Sequence, residues 1–212
     1  MNITYIGHSC FLLEHENYKI LTDPFPPFLN SGSSLYEKEV DFITISHSHF
    51  DHCYIDNLKC KNILTTNDVF RYENLTIESF LCYHDPFNGA LRGNNLIFMF
   101  RFADFNICHL GDIGHELDDA LIDKLGNIDI LFIPVGGNIT IDGKTASKIC
   151  MKLNAKITIP MHYKSNNKSL PIDSLESFLL SMKSGQYINT STLEIDSIDS
   201  FNSNVLILTK II

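Results

Sequence analysis

Three histidines and an aspartate crowd into six residues at His47, His49, Asp51 and His52, in the order His-Ser-His-Phe-Asp-His. Imidazole and carboxylate are ligands of borderline divalent cations, zinc foremost. An apolar core has no use for such a cluster. The run Asp41-Phe-Ile-Thr-Ile-Ser46 leading into it reads as a strand. On an extended backbone residues i and i+2 share a face, so His47 and His49 can grip one ion. Asp51 and His52 follow where the chain turns, placed to reach a second ion nearby. The first expectation is a two-metal site at a strand end.

Such a site needs further ligands. His84 follows Leu81-Cys-Tyr, Asp112 follows Ile107-Cys-His-Leu-Gly, and His162 follows Ile157-Thr-Ile-Pro-Met. Each stands at the C-terminal end of a strand-like run, where ligands from distant positions converge on one rim of a sheet. A lone histidine is more often structural; recurrence at equivalent positions reverses that. His8, in Gly-His-Ser, is a candidate to line the site. Asp23, in Thr-Asp-Pro, is a candidate carboxylate behind a metal-binding histidine. His115 reads as a pocket residue or as the cap of a following helix, and Tyr163 as a substrate or oxyanion contact. His109 alternates with apolar neighbours and reads as structural, His15 as an exposed turn residue. Arg92, Lys144 and Lys164 are cations able to meet an anionic substrate or simply to face solvent.

The elements that must carry these residues begin with three short strands at 2–6, 10–14 and 18–21. Pro24, Pro26 and Pro27 open an irregular loop to residue 34 that carries Phe25, Phe28 and Leu29. This loop is either a flap over a pocket or a segment packed on the core. Strands are expected at 42–45, 62–66, 75–82, 95–102, 105–110, 130–134, 157–159, 187–195 and 205–210. Ala103-Asp104 reads as a hairpin turn. Helical spacing is expected over 55–60, 116–125, 142–153 and 174–182. Hairpins come first and strands then alternate with helices, as in two mixed sheets packed together with helices outside.

The 212 residues suit one well-buried domain spanning 1–212. Hydrophobic content of 44% and charged content of 19% are those of an ordinary globule. Sixteen basic against 25 acidic residues give a formal charge of -9, which offers no footprint for nucleic acid and no polybasic membrane anchor. No secretory signal and no membrane-length apolar run is visible. The six cysteines lack any CxxC pair and read as reduced thiols. Cys53 adjoins the metal motif, but its ligand reading is the weaker one. The expectation is a cytoplasmic protein with a small-molecule substrate; a homo-oligomer stays open.

The motif His47–His52, followed in order by His84, Leu-Gly-Asp112 and Met-His162, resembles the metallo-β-lactamase superfamily over nearly the whole chain. Tyr-Ile-Gly-His-Ser-Cys-Phe-Leu-Leu-Glu with Leu-Thr-Asp-Pro, and Ile-Pro-Val-Gly-Gly-Asn with Ile-Pro-Met-His-Tyr, are similar to the small hydrolase branch that includes ascorbate-6-phosphate lactonase-like proteins. The resemblance implies an α/β fold, a four-layer αββα sandwich of two mixed β-sheets with outer helices and metals at one edge. It implies His47, His49 and His84 as ligands of a first metal, Asp51, His52 and His162 as ligands of a second, and Asp112 as the bridge. One departure stands out: the third histidine lies in Tyr-His84-Asp-Pro rather than in a Gly-His-Thr-type turn. That argues against a glyoxalase-type thioesterase.

The chemistry implied is hydrolysis by a metal-bound hydroxide, with Asp51 and Asp112 as the catalytic carboxylates. The cofactor is expected to be two divalent ions, zinc first, with manganese, iron or nickel compatible with the same ligands. A small ester, lactone or related substrate is the leading expectation. A phosphodiesterase acting on a nucleotide or RNA end and a non-catalytic metal-binding protein are the alternatives. A di-iron oxidoreductase fits less well, since such relatives tend to carry Glu where this chain has His49.

Overall fold

The computed structural model describes residues 1–29, 39–164, 171–196, 201 and 204–210. Strands β1 (Asn2–Gly7), β2 (Cys10–His15), β3 (Tyr18–Thr22), β4 (Val40–Thr44), β5 (Cys60–Leu64) and β13 (Thr192–Glu194) form one sheet in the order β13-β1-β2-β3-β4-β5. Strands β6 (Val69–Arg71), β7 (Thr76–Tyr83), β8 (Asn94–Arg101), β9 (Asn106–His109), β10 (Ile130–Pro134) and β11 (Ile157–Met161) form a second, in the order β11-β10-β9-β8-β7-β6. Both sheets are mixed. The β3–β4–β5 and β9–β10–β11 neighbours run parallel and the other pairs antiparallel. Two short strands, β12 (Gln186–Ile188) and β14 (Leu206–Leu208), pair apart from both.

Side-chain alternation builds the layers. Ile3, Tyr5, Phe11, Leu13 and Phe42 of the first sheet face Leu96, Phe98, Phe100, Ile130 and Phe132 of the second, forming the inter-sheet core. Phe11 stacks on Phe132 across it with ring centroids 4.2 Å apart. The intervening residues Ile97, Met99, Leu131 and Ile133 face outward and pack against α1 (Asp119–Leu125), α2 (Gly143–Leu153) and α3 (Glu176–Met182). Both faces of β8 and β10 are therefore buried, which explains their unbroken apolar runs. Outward residues of the first sheet, such as Cys10, Leu12 and Ile43, are covered by Phe25, Leu29, Cys53 and Leu58. Among the described residues, all three α-helices lie on the second sheet.

Several expectations shift. Residues 55–60 form no helix; turns lead directly into β5, because the segment packs only Leu58 and Cys60 against the sheet. The 116–125 helix starts at Asp119, where the Asp118 carboxylate accepts from the Leu121 N–H at 2.7 Å. The single strand over 187–195 is two strands in different sheets. His15 is not an exposed turn residue. It ends β2, packs edge-on against Phe102 and Phe105, and pairs with Asp104 at 2.7 Å. In the 24–34 loop, Phe25 is buried and Phe28 is exposed, stacked on Phe50 of the metal motif at 6.4 Å. The flap reading for residues 30–34 falls outside the described residues.

Candidate metal centre

The C-terminal ends of strands from both sheets meet at one edge. His8 follows β1, the His47–His52 segment follows β4, His84 follows β7, Asp112 follows β9 and His162 follows β11. The two sheets are tied together here by a hydrogen bond from the Leu96 amide to the Ser46 carbonyl at 2.8 Å. Potential ligand atoms fall into two principal groups, each with all its atoms within 4.8 Å of one another. One contains His47, His49 and His84; the other contains His8, Asp51, His52 and His162.

Asp112 stands between the groups. Its Oδ2 lies 3.9 Å from His47 Nε2 and 3.4 Å from His84 Nε2 on one side, and 3.2 Å from His52 Nε2 and 3.1 Å from His162 Nε2 on the other. Its Oδ1 has no hydrogen-bond partner, nor do the Nε2 atoms of His47 and His162 or the Nδ1 of His84, all of them buried. Buried polar atoms left unpaired are costly, and His47 Nε2 and His162 Nε2, which meet around Asp112, call for a ligand to satisfy them. The His/Asp donor set is the one a divalent cation takes.

Electrostatics point the same way. Burial pushes His8 down to about 4 and His47 down to about 3, and it also lowers His49, so these imidazoles stay neutral as metal donors must. Burial works against the charged form of Asp112 too, but the neighbouring His162 and His52 outweigh it and hold the carboxyl well below its usual range. Burial opposes a proton on His52, yet Asp112 and Asp23 raise it well above the ordinary imidazole value. The carboxylates thus favour positive charge at this spot.

One carboxylate fixes ligands in both groups. Asp23 and Ser46 follow the neighbouring parallel strands β3 and β4, so they lie side by side. Asp23 Oδ1 accepts from the Ser46 N–H at 2.8 Å. Its Oδ2 accepts from the Ser46 hydroxyl at 2.6 Å and from His52 Nδ1 at 3.0 Å. With its proton given to Asp23, Ser46 Oγ can only accept from His47 Nδ1, 2.9 Å away. Both histidines thereby have Nδ1 committed as a donor, which leaves Nε2, facing Asp112, as the atom free to meet a cation.

The turn carrying Asp112 is pinned from β8. Asn95 Oδ1 accepts from the Asp112 N–H at 2.8 Å, while its Nδ2 donates to the Leu110 carbonyl at 2.9 Å. Gly111 has φ +56°, and a Cβ there would sit 2.3 Å from Asn95 Oδ1 and 2.6 Å from Ser46 Cβ. Only glycine fits. The loop after His84 is organised by Asp85, whose carboxylate accepts from the N–H groups of Phe87, Gly89, Leu91 and Arg92 at 2.8–3.1 Å. In the Tyr-His-Asp-Pro segment Asp85 thus centres the loop that follows His84.

A cavity of about 570 Å³ opens beside the first group, lined by His47, Ser48, His49, Thr65, Asn67 and Arg92 among others. Cys53 also lines it, outside both ligand groups. His115 and Tyr163 are not brought into the cluster. His115 Nε2 accepts from the Tyr83 amide at 3.2 Å and its Nδ1 donates to the Glu116 carbonyl at 2.8 Å, so it braces the end of β7 and neither lines the pocket nor caps α1. Tyr163 packs against the helix-side core and its hydroxyl pairs with Tyr5. His109 is structural as expected, its Nε2 donating to the Ser9 carbonyl at 2.9 Å. Ser46 and Asn95 were not foreseen. Adjacency to His47 marks Ser46; nothing in the sequence marks Asn95.

Residues 2–162 match the model of the beta-lactamase superfamily domain, and the chain belongs to that superfamily, among the UPF0173 metal-dependent hydrolases. A UPF0173 metal-dependent hydrolase of Carboxydothermus hydrogenoformans is 30% identical over 192 residues, covering 77% of this chain and 84% of its own. Another from Methanoregula boonei is 28% identical over 192 residues, covering 79% and 84%. The crystal structure of a metallo-β-lactamase superfamily protein from Thermotoga maritima superposes with a TM-score of 0.81 at 31% identity, covering 98% of this chain and 97% of that one. The two-sheet sandwich and its metal-binding edge are thus those of the superfamily. Among the described residues no helix is long and apolar enough to cross a membrane.

Proposed function

We propose that the chain is a two-metal hydrolase of a small ester, lactone or related substrate. His47, His49 and His84 hold one ion, Asp51, His52 and His162 hold the other, and Asp112 bridges them. The observation carrying this reading is the position of Asp112 Oδ2 within 4 Å of imidazole nitrogens from both groups, while its Oδ1 is unpartnered. Zinc suits the donor set best, and manganese, iron or nickel are compatible with it. Divalent ions held there supply Lewis acidity and make water acidic enough to ionise near neutral pH.

The chain's own residues do the rest. Burial acts to raise the Asp51 carboxyl, but the His8 imidazole 3.3 Å away and the charge of His52 outweigh it, so Asp51 stays ionised. As an ionised carboxylate facing the cluster, Asp51 orients the attacking water and accepts its proton. Asp23 and Ser46 keep His47 and His52 in the donor tautomer. The cavity beside His49 admits the substrate, and Arg92 on its wall favours a substrate bearing an anionic group. The six free cysteines support a cytoplasmic setting.

The test is turnover by the metal-loaded protein of 4-nitrophenyl acetate and a lactone panel against bis(4-nitrophenyl) phosphate. Ester or lactone hydrolysis lost in His49→Ala, with the fold retained, is the expected result. Preferential phosphodiester cleavage would establish the phosphodiesterase instead. Stoichiometric metal binding with no turnover of any of these would leave a metal-binding protein.

A further inference from the structure

Three features of His8 have no role in the ligand set above. Its backbone lies at φ 55°, a left-handed conformation uncommon outside glycine, with asparagine, aspartate and histidine the usual exceptions, and shared here by His162 at φ 52°. Its carbonyl is held by two donors, the His162 N–H at 3.0 Å and the Tyr5 hydroxyl at 3.2 Å. Its ring is nearly buried, 12% exposed, and packs on the rings of His162 and His52 with centroids 4.3 Å and 4.8 Å away. The left-handed backbone aims Nε2 into the second group. It stops 3.1 Å from His52 Nε2 and 3.3 Å from Asp51 Oδ2.

Those separations suit shared coordination. Two donors each ~2.1 Å from one ion and 3.1 Å apart subtend about 95° at it, and 3.3 Å corresponds to about 105°. A histidine kept only to hydrogen-bond Asp51 needs no unusual backbone and no second nitrogen at 3.1 Å.

Resting on the two-metal reading, we propose that His8 is a further protein ligand of the second metal position, joining Asp51, His52, His162 and the bridging Asp112. The second position is then enclosed by protein. The first, with half-buried His49 beside the 570 Å³ cavity, is the one that faces substrate. The two positions therefore have different tasks: the second anchors Asp112 and Asp51, and the first receives the substrate oxygen.

The test uses cobalt(II), whose visible spectrum reports coordination number, in the unmodified protein and in His8→Gly. Glycine is at ease at φ 55°, so the variant keeps the backbone, and it leaves a hole the size of an imidazole. The unmodified protein should bind two cobalt ions per chain. In His8→Gly the ion at the second position should lose about tenfold or more in affinity while the ion at the first is unchanged. The band of the second ion should intensify as coordination number falls, and added free imidazole should restore the original spectrum. Two ions bound with unchanged affinity and spectrum in His8→Gly would refute the role of His8 while leaving the two-metal reading intact. One ion per chain in the unmodified protein would refute both.

Discussion

Replacing Asp23 with asparagine tests whether a residue outside the proposed ligand set fixes the tautomers of two inside it, His47 and His52. Asp23 is fully buried, and its carboxylate accepts three hydrogen bonds, from Ser46 N–H, Ser46 Oγ–H and His52 Nδ1–H. An amide has one acceptor end. With its oxygen toward His52, the NH₂ faces the Ser46 N–H; flipped, it faces His52 Nδ1–H and the Ser46 hydroxyl. Either way a buried donor meets a donor, costing about 1–3 kcal/mol of stability. Loss of such an outer hydrogen bond typically lowers metal affinity by about 10–100-fold. Whichever end of the amide faces His52, the anion is gone: His52 Nδ1–H and the Ser46 hydroxyl behind His47 meet either a weaker neutral acceptor or a donor, so both metal positions should weaken. Zinc titration against a competing chelator, with circular dichroism to confirm the fold, measures the effect. Ser46→Ala should weaken only the position that includes His47. Asp23→Asn binding both ions with unchanged affinity would refute the relay from Asp23 through Ser46.

Chelation should lower the melting temperature: each ion present at a thousand times its Kd contributes about 4 kcal/mol, about 8 for two, roughly 20 °C for a chain of this size. Equal melting curves with and without chelator would contradict the buried, unpaired donors. Gly111→Ala should cost about 2–4 kcal/mol in chemical denaturation, because the added Cβ meets Asn95 and Ser46 at a positive φ. It should also reduce metal stoichiometry by displacing Asp112. Arg92→Gln should raise KM for an anionic ester such as 4-nitrophenyl hemisuccinate about tenfold while leaving neutral 4-nitrophenyl acetate unchanged. Equal changes for both substrates would remove Arg92 from substrate recognition.

The candidate cluster is legible in the chain because its histidines and aspartates sit beside strand ends, where the local pattern is plain. His47, His49, His84 and His162 could each be placed after an apolar run, and all four converge in the folded chain. The packing residues around them were harder. Asn95 is the second residue of β8, far in sequence from the Leu110–Asp112 turn it pins, and its role appears only once β8 and β9 pair. His115, three positions from Asp112, reads in sequence as a pocket residue or a helix cap, yet the bend at this residue directs its ring to the backbone of Tyr83. The 55–60 segment shows why short apolar spacings mislead: two contacts with the sheet were enough to hold it as turns. His8 was noticed from its Gly-His-Ser setting, but its closeness to His52 and His162 depends on the β1 end lying against the β11 end.

The most direct measurement is anomalous X-ray scattering from crystals of the zinc-loaded protein. Two peaks are expected, one among His47, His49 and His84 and one among His8, Asp51, His52 and His162, with Asp112 touching both. A single peak, or two ions that Asp112 does not bridge, would contradict a two-metal hydrolase.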